Sequence, residues 1–311
     1  MEFPHQPVMV NEVIKALVTD PDGIYVDGTV GSGGHSEAIG EEISSKGHLI
    51  CLDRDSEAIG ISRDRLGFLG ERATLIHANF AAMDEALEGL GVGKVNGILL
   101  DLGMSSYQID QSGRGFSFNR DEPLDMRMDQ DEETTAEQIV NCFSTREIEG
   151  ILREYGEERR ARSLARKIVR ERRKQRIQSS LHLADLTRSV IPPSRRPGAK
   201  DPATRTFQAL RIAVNREMDS LKTFLERAPA LIGRGGRLVF LSYHSLEDRQ
   251  VKQAMAVWEK GCTCPPDIPV CACGKNPLFK RLSRKGTKPD GKEIRENPRA
   301  RSAIMRAAER I

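Results

Sequence analysis

Four short apolar runs recur along the first hundred residues, each closing on a polar residue or a loop. They are GIYV before Asp27, HLICL before Asp53, TLIHA before Asn79 and GILL before Asp101. Helix-forming segments, Glu37 to Ser44 and Ser56 to Leu69, follow the first and second. Strand alternating with helix implies a parallel sheet with helices on both faces, an α/β class of fold. Ligands of such sheets gather at the carboxyl ends of the strands, which places Asp27, Asp53, Phe80 and Asp101 at the binding edge.

The alternation stops after Asp101. The stretch from Tyr107 to Asp131 is rich in Gly, Asp and Arg and reads as an ordered loop. Beyond it only helices are apparent as far as Ile191: Thr135 is a candidate N-cap for AEQIVNCF, Ser144 for TREIEGILREYG and Ser180 for LHLADLTRSVI, which stops at Pro192 and Pro193. A long amphipathic helix is expected over Thr206–Arg227, then a fifth strand at Arg237–Ser242 and a helix over Leu246–Glu259. The pattern from Arg299 to Ile311 suits a helix or an edge strand equally. The economical division is a sheet domain in two parts, residues 1–107 and 206–311, around an all-helical insertion at 108–205.

No run approaches the length of a membrane span, and MEFPHQPVMVNEV lacks the basic-then-apolar pattern of a signal peptide, so a cytoplasmic protein is expected. The net charge of +3 conceals an asymmetry: residues 151–176 hold 11 basic against 4 acidic side chains, and residues 275–311 hold 12 against 4. Two basic blocks on an otherwise acidic chain suggest a nucleic-acid partner, although i,i+4 pairing on a solvated helix accounts for part of the first.

DGTVGSGGHS, residues 27–36, follows the first strand and opens a helix. Backbone approach to a ligand needs glycine, and free N–H groups at a helix start suit an anionic group. No Gly-Lys-Ser/Thr follows, which excludes a P-loop, and Ser36 stands where the dinucleotide fingerprint needs Gly or Ala. Asp27 would repel a pyrophosphate and suit an amine. S-Adenosylmethionine, with an amine, a carboxylate and ribose hydroxyls but no phosphate, fits: Asp27 and the loop for the methionine end, Asp53 for the ribose, Phe80 for the adenine.

DGTVGSGGHS, CLDRD, HANF, GILLDLGMSSYQID, RGFSF, PLDMRMD, TRTFQALRIAVN, LVFLSYHSLEDR and ENPRARSAIMRAAER together resemble the bacterial small-subunit rRNA cytosine-N4 methyltransferase (MraW) family, in order and over nearly the whole chain. The resemblance implies a Rossmann-like S-adenosylmethionine-dependent methyltransferase sheet with an inserted helical domain serving RNA recognition. It implies cofactor contacts at Gly33, Gly34, His35, Asp53, Phe80, Asp101 and Gln108, and a cytidine of the 16S rRNA decoding centre as substrate, met in the 30S subunit or a late precursor. Whether the chain works alone or as a homodimer stays open.

The exocyclic amine of cytosine is a weak nucleophile and needs acceptors beside the methyl donor. Many amino-methyltransferases carry an acidic or amide residue before Pro-Pro-aromatic there; this chain has Asp101-Leu102-Gly103-Met104 instead. Asp101, Tyr243 and His244 are the catalytic candidates, with a loop-anchoring role as the alternative for His244. Phe116, Phe118 and Tyr243 are candidates for the face of a flipped base. Arg114, Arg120 and Arg127 suit phosphate contacts or ion pairs with Asp121, Asp125 and Asp129, and Ser194–Lys200 suits an exposed phosphate contact. Cys51 and Cys142 read as core, while Cys262, Cys264, Cys271 and Cys273 resemble a four-thiolate zinc knuckle, free or redox-active thiols being the alternative. Two other classes remain: a non-catalytic RNA- or ribosome-binding assembly factor, and a nicotinamide dehydrogenase, with which the glycine loop conflicts.

Overall fold

The computed structural model describes residues 7–193, 201–262, 264, 270, 273–274 and 276–311. The expected phosphate contact at Ser194–Lys200 and the ligand Cys271 lie outside them. The chain forms two compact units, one made of Met1–Gly103 with Met218–Ile311 and the other of Met104–Glu217.

The first unit holds one seven-stranded sheet: β1 (Ile24–Asp27), β2 (His48–Asp53), β3 (Ala73–His77), β4 (Val95–Asp101), β5 (Ile232–Ser242), β6 (Phe279–Arg281) and β7 (Ile304–Arg310), in the order β3-β2-β1-β4-β5-β7-β6. β1 to β5 are parallel, and β7 lies antiparallel between β5 and β6. The order reverses direction at β1, between β2 and β4, and there the loops leaving β1 and β4 diverge. Helices α1 (Val10–Leu17), α2 (Gly34–Glu42), α3 (Ser56–Arg65) and α4 (Met83–Gly89) belong to the first half of this unit. Alternation along the strands sorts the side chains into two cores. Val26, Ile50, Ile98 and Phe240 pack in one, and Tyr25, Leu49, Leu99 and Val239 in the other.

The second unit is all-helical: α5 (Ser106–Asp110), α6 (Ala136–Cys142), α7 (Thr145–Glu154), α8 (Ala161–Arg172), α9 (Ser180–Val190) and α10 (Ala203–Asn215). Ile139, Leu152, Leu164, Leu183 and Leu210 are among its core residues. Thr135 and Ser144 cap α6 and α7 through reciprocal boxes with Gln138 and Glu147. For α9 the capping side chain is Ser179, which accepts from His182 N. Ser180, one residue on, instead turns its hydroxyl to the Arg120 carbonyl.

The single helix expected over Thr206–Arg227 is two, α10 and α11 (Glu217–Leu231), parted at Arg216, whose φ of 47° is left-handed. Leu210 and Val214 serve the helical core, while Leu221 and Leu225 serve the sheet core. A continuous rod does not satisfy both. α12 (Ser245–Lys260) and α13 (Gly291–Glu296) complete the first unit. β5 is longer than expected because it begins at Ile232, opposite Val95, before a register shift. The stretch 299–311 is a 3-10 turn and then β7, which is an interior strand with β6 outside it.

Candidate functional site

The glycine loop is shaped by two residues that only glycine suits. Gly33 caps α2 with φ 81° and ψ 13°, a left-handed conformation that costs any Cβ-bearing residue. At Gly34 a Cβ would stand 2.9 Å from the Pro7 ring. The loop is tied to the next strand by the Asp53 carboxylate, which accepts the Gly31 N–H at 2.8 Å and the Asp55 N–H at 2.9 Å. Burial pushes the Asp53 carboxyl up to about 6 against the pull of those two N–H groups.

Asp27, which closes β1, is buried. It is 1% exposed, its Oδ2 accepts from the Ser36 hydroxyl at 2.7 Å and its Oδ1 from the Thr29 N–H at 3.1 Å. Burial raises its pKa despite these bonds. Thr29 turns its own hydroxyl oxygen to the N–H of Asp101 at 2.7 Å, so the loop after β1 is stitched to the end of β4.

Asp101 gathers the remaining candidates of this unit. Tyr243, at the end of β5, donates its hydroxyl to Asp101 Oδ1 at 2.7 Å, and His35 Nδ1 lies 3.4 Å from Oδ2. The other imidazole nitrogen, Nε2, is 2.8 Å from the Val8 carbonyl, an acceptor only, so Nε2 carries a hydrogen. Burial raises the Asp101 pKa and is opposed by His35 and the Tyr243 bond. Burial likewise pushes the Tyr243 hydroxyl up, with the Asp101 charge reinforcing it. The hydroxyl therefore acts as donor.

His244 is the N-cap of α12. Its Nδ1 accepts from Glu247 N, its Nε2 lies 3.0 Å from Glu247 Oε1, and Glu247 Oε2 takes the N–H of Tyr243 at 2.9 Å. The loop-anchoring alternative for His244 matches this arrangement. Phe80, half-buried after β3, meets Phe224 edge-on at 5.9 Å between ring centres. Thr29, Ser36 and Glu247 were missed by the sequence reading. Glu247, three residues after His244, carries the spacing of a capping box and was findable.

Within the helical unit, Gln108 is buried and completes a capping box with Ser105, its side-chain oxygen accepting the Ser105 N–H at 3.0 Å. The three loop arginines there are structural. Arg114 donates to the carbonyls of Arg127 and Met128, Arg120 to that of Asp110, and Arg127 grips Asp125 through two bonds of 2.8 Å. Phe116 is buried in that unit's core and Phe118 packs edge-on to Phe207. Cys51 is buried as expected, but Cys142 is exposed, on the outer face of α6. The ligand atoms of Cys262, Cys264 and Cys273 lie within 4.8 Å of one another.

A sheet parallel over β1–β5, with a glycine loop after β1 and a carboxylate closing β2, defines a Rossmann-like α/β protein with its ligand edge at those strand ends. The chain matches the model of the MraW methylase family over residues 2–311 and belongs to that family. It is 46% identical over 311 residues to a protein of Symbiobacterium thermophilum, covering 100% of this chain and 98% of the other. It is 47% identical over 312 residues to one of Heliobacterium mobile, with both covered in full, and 48% identical over 309 residues to one of Syntrophotalea carbinolica, covering 99% and 98%. Each of these relatives is named ribosomal RNA small subunit methyltransferase H.

Proposed function

We propose that the chain transfers a methyl group from S-adenosylmethionine to the exocyclic N4 amine of a cytidine in the decoding centre of 16S rRNA. The observation that carries this reading is the Asp101 cluster beside the glycine loop, in a chain nearly half identical to named rRNA methyltransferases. The residues suit the cofactor: the left-handed Gly33 and crowded Gly34 leave bare backbone at the start of α2, and the donor set is carboxylates, with no lysine for a phosphate. In this reading Gly33, Gly34 and His35 hold the methionine end, Asp53 accepts from ribose hydroxyls, and Phe80 supplies the adenine face. Gln108 is a further contact implied by the family resemblance.

Bound there, the cofactor supplies an electrophilic sulfonium methyl. Asp101 accepts a hydrogen bond from the amine and turns its lone pair toward that methyl. Tyr243 and His35 are positioning residues, each holding one oxygen of Asp101. His244 acts through the α12 cap that fixes Tyr243. The methylated amine then sheds its extra proton without a dedicated base. On α8, Arg162, Arg166 and Arg170 are exposed at helical spacing, and no carboxylate pairs with them among the described residues, which supports RNA recognition by the helical unit. Among the described residues no helix is long and apolar enough to cross a membrane.

The test is transfer of labelled methyl from S-adenosylmethionine into undermethylated 30S subunits, late precursors and bare 16S rRNA, with nucleosides resolved by mass spectrometry. N4-Methylcytidine is expected. No incorporation into any of the three would reject the reading. A structural zinc ion held by Cys262, Cys264 and Cys273 is also part of it: zinc–thiolate bonds of about 2.3 Å set sulfurs roughly 3.8 Å apart, within the observed spread. X-ray absorption on the purified chain should count three or four sulfur neighbours per zinc; a chain purified without stoichiometric zinc would refute it.

A further inference from the structure

A cavity of about 540 Å³ opens on the sheet unit, far along the chain from the glycine loop. Three elements line it: Lys252 on α12, the turn Arg284–Lys285–Gly286 with Lys288 after β6, and Ile304 with Arg306 on β7. The turn is pinned to β7 by paired backbone bonds between Thr287 and Met305 and by Leu282 N–H to Ala307 carbonyl. Gly286 rests so close to β7 that a Cβ would stand 2.3 Å from Ile304 Cγ2. The wall is therefore built, with its cations carried on fixed backbone.

The charge in it is unbalanced. Arg306 is neutralised by Asp248 through bonds of 2.6 and 3.0 Å. Lys252, Arg284, Lys285 and Lys288 are exposed, and among the described residues none of them has an ion pair. Glu259, whose charge Arg284 feels, is already bound to Arg281. Four cations without an ion pair lining one cavity repel one another, and a bound anion offsets that. Among the described residues no aromatic side chain lines the cavity, so they offer no stacking platform for a base.

We infer that this groove binds the sugar–phosphate backbone of RNA, taking consecutive phosphodiesters without reading sequence. The cations arrive from separate elements and are too many for one free phosphate. A backbone running across the groove engages them in turn, holding the RNA while the glycine-loop edge acts on it. The inference rests on the rRNA-substrate reading.

The full-length quadruple variant K252A/R284A/K285A/K288A tests it, with K252A/K288A as a milder second. Calorimetric S-adenosylmethionine binding checks that the sheet unit is intact. Affinity for a 16S rRNA fragment is measured by filter binding between about 50 and 200 mM KCl, where each single-strand phosphate contact adds about 0.7 to the salt slope. The quadruple variant should lose about 3 from the slope, equivalent to about 50-fold of the wild-type fall across that range, and the double variant about half that slope. An unchanged slope, with wild type binding RNA and both variants binding cofactor, would overturn the groove alone. Wild type without salt-dependent RNA affinity would overturn the groove and the substrate reading together. Inorganic phosphate bound by the wild type and not by the quadruple variant, with the two sharing one RNA salt slope, would reassign the groove to free phosphate and also overturn the proposal.

Discussion

Replacing Tyr243 with Phe keeps the ring and removes one hydroxyl, which donates at 2.7 Å to Oδ1 of the half-buried Asp101. A hydrogen bond to a charged group contributes about 1.5–3 kcal/mol, whereas one to a neutral partner contributes about 1 kcal/mol. The loss should therefore depend on whether Asp101 is ionised. The folded protein holds the Asp101 carboxyl above its ordinary value, so its ionisation lowers stability as pH rises through the folded pKa. Removing the Tyr243 bond, which favours the anion, pushes that pKa further up. The penalty should grow with pH, from about 1 kcal/mol where Asp101 is protonated to about 2–3 kcal/mol where wild-type Asp101 is ionised. Trp258, the sole tryptophan, is buried on α12 against Phe279 and reports this unit's unfolding. Urea titrations followed by its fluorescence, from about pH 4.5 to pH 9, supply the comparison. A penalty below about 0.5 kcal/mol at the alkaline end, or one that does not change with pH, would refute the Asp101–Tyr243 account.

Cofactor affinity should fall as pH drops through about 6, because protonating Asp53 removes an acceptor for ribose hydroxyls; Asp53→Asn should bind weakly and flatten the profile in calorimetry. The same raised pKa makes stability from Asp53 greatest below its ordinary value and lost as pH rises through about 6, a trend that Asp53→Asn should remove from urea midpoints. In the helical unit, Arg211→Ala should cost about 3–5 kcal/mol, since it strands Glu217, now bound through two bonds of 2.7 Å at a nearly buried pair; a loss under 1 kcal/mol in circular-dichroism melts would contradict this. Gly261→Ala should lower the zinc content of the purified chain, because at φ 65° the new Cβ would stand 2.3 Å from the Asn276 backbone; full zinc retention would count against it.

The sheet was readable because each of β1, β2 and β4 is an apolar run ended by an aspartate, and that local pattern is imposed by burial on both faces. Capping was readable at Thr135 and Ser144, where the partner is three residues away. The break between α10 and α11 was not, since Arg216 carries no glycine or proline signal and the kink follows from two cores claiming the two halves. The same limit applies to the site. Asp53 and Asp101 announce themselves at strand ends, but the orientation of His35 toward Asp101 is fixed by the Val8 carbonyl, which is 27 residues from His35 and invisible to any local pattern. Asp27 stands in the position expected for a ligand contact and is consumed by Ser36 and Thr29.

The meeting of Gly261 with Asn276 has a consequence for how this chain can vary. α12 and β6 are already joined on the near side of that contact, by Trp258 carbonyl to Leu278 N–H and by Glu259 to Arg281. α12 and β6 therefore stand at one close approach of backbone to backbone, at Gly261 and Asn276. Loop length costs folding little once its ends are fixed, about 0.6 kcal/mol per doubling. The join between α12 and β6 is in that sense independent of how much chain links them: it rests on the Trp258–Leu278 and Glu259–Arg281 bonds.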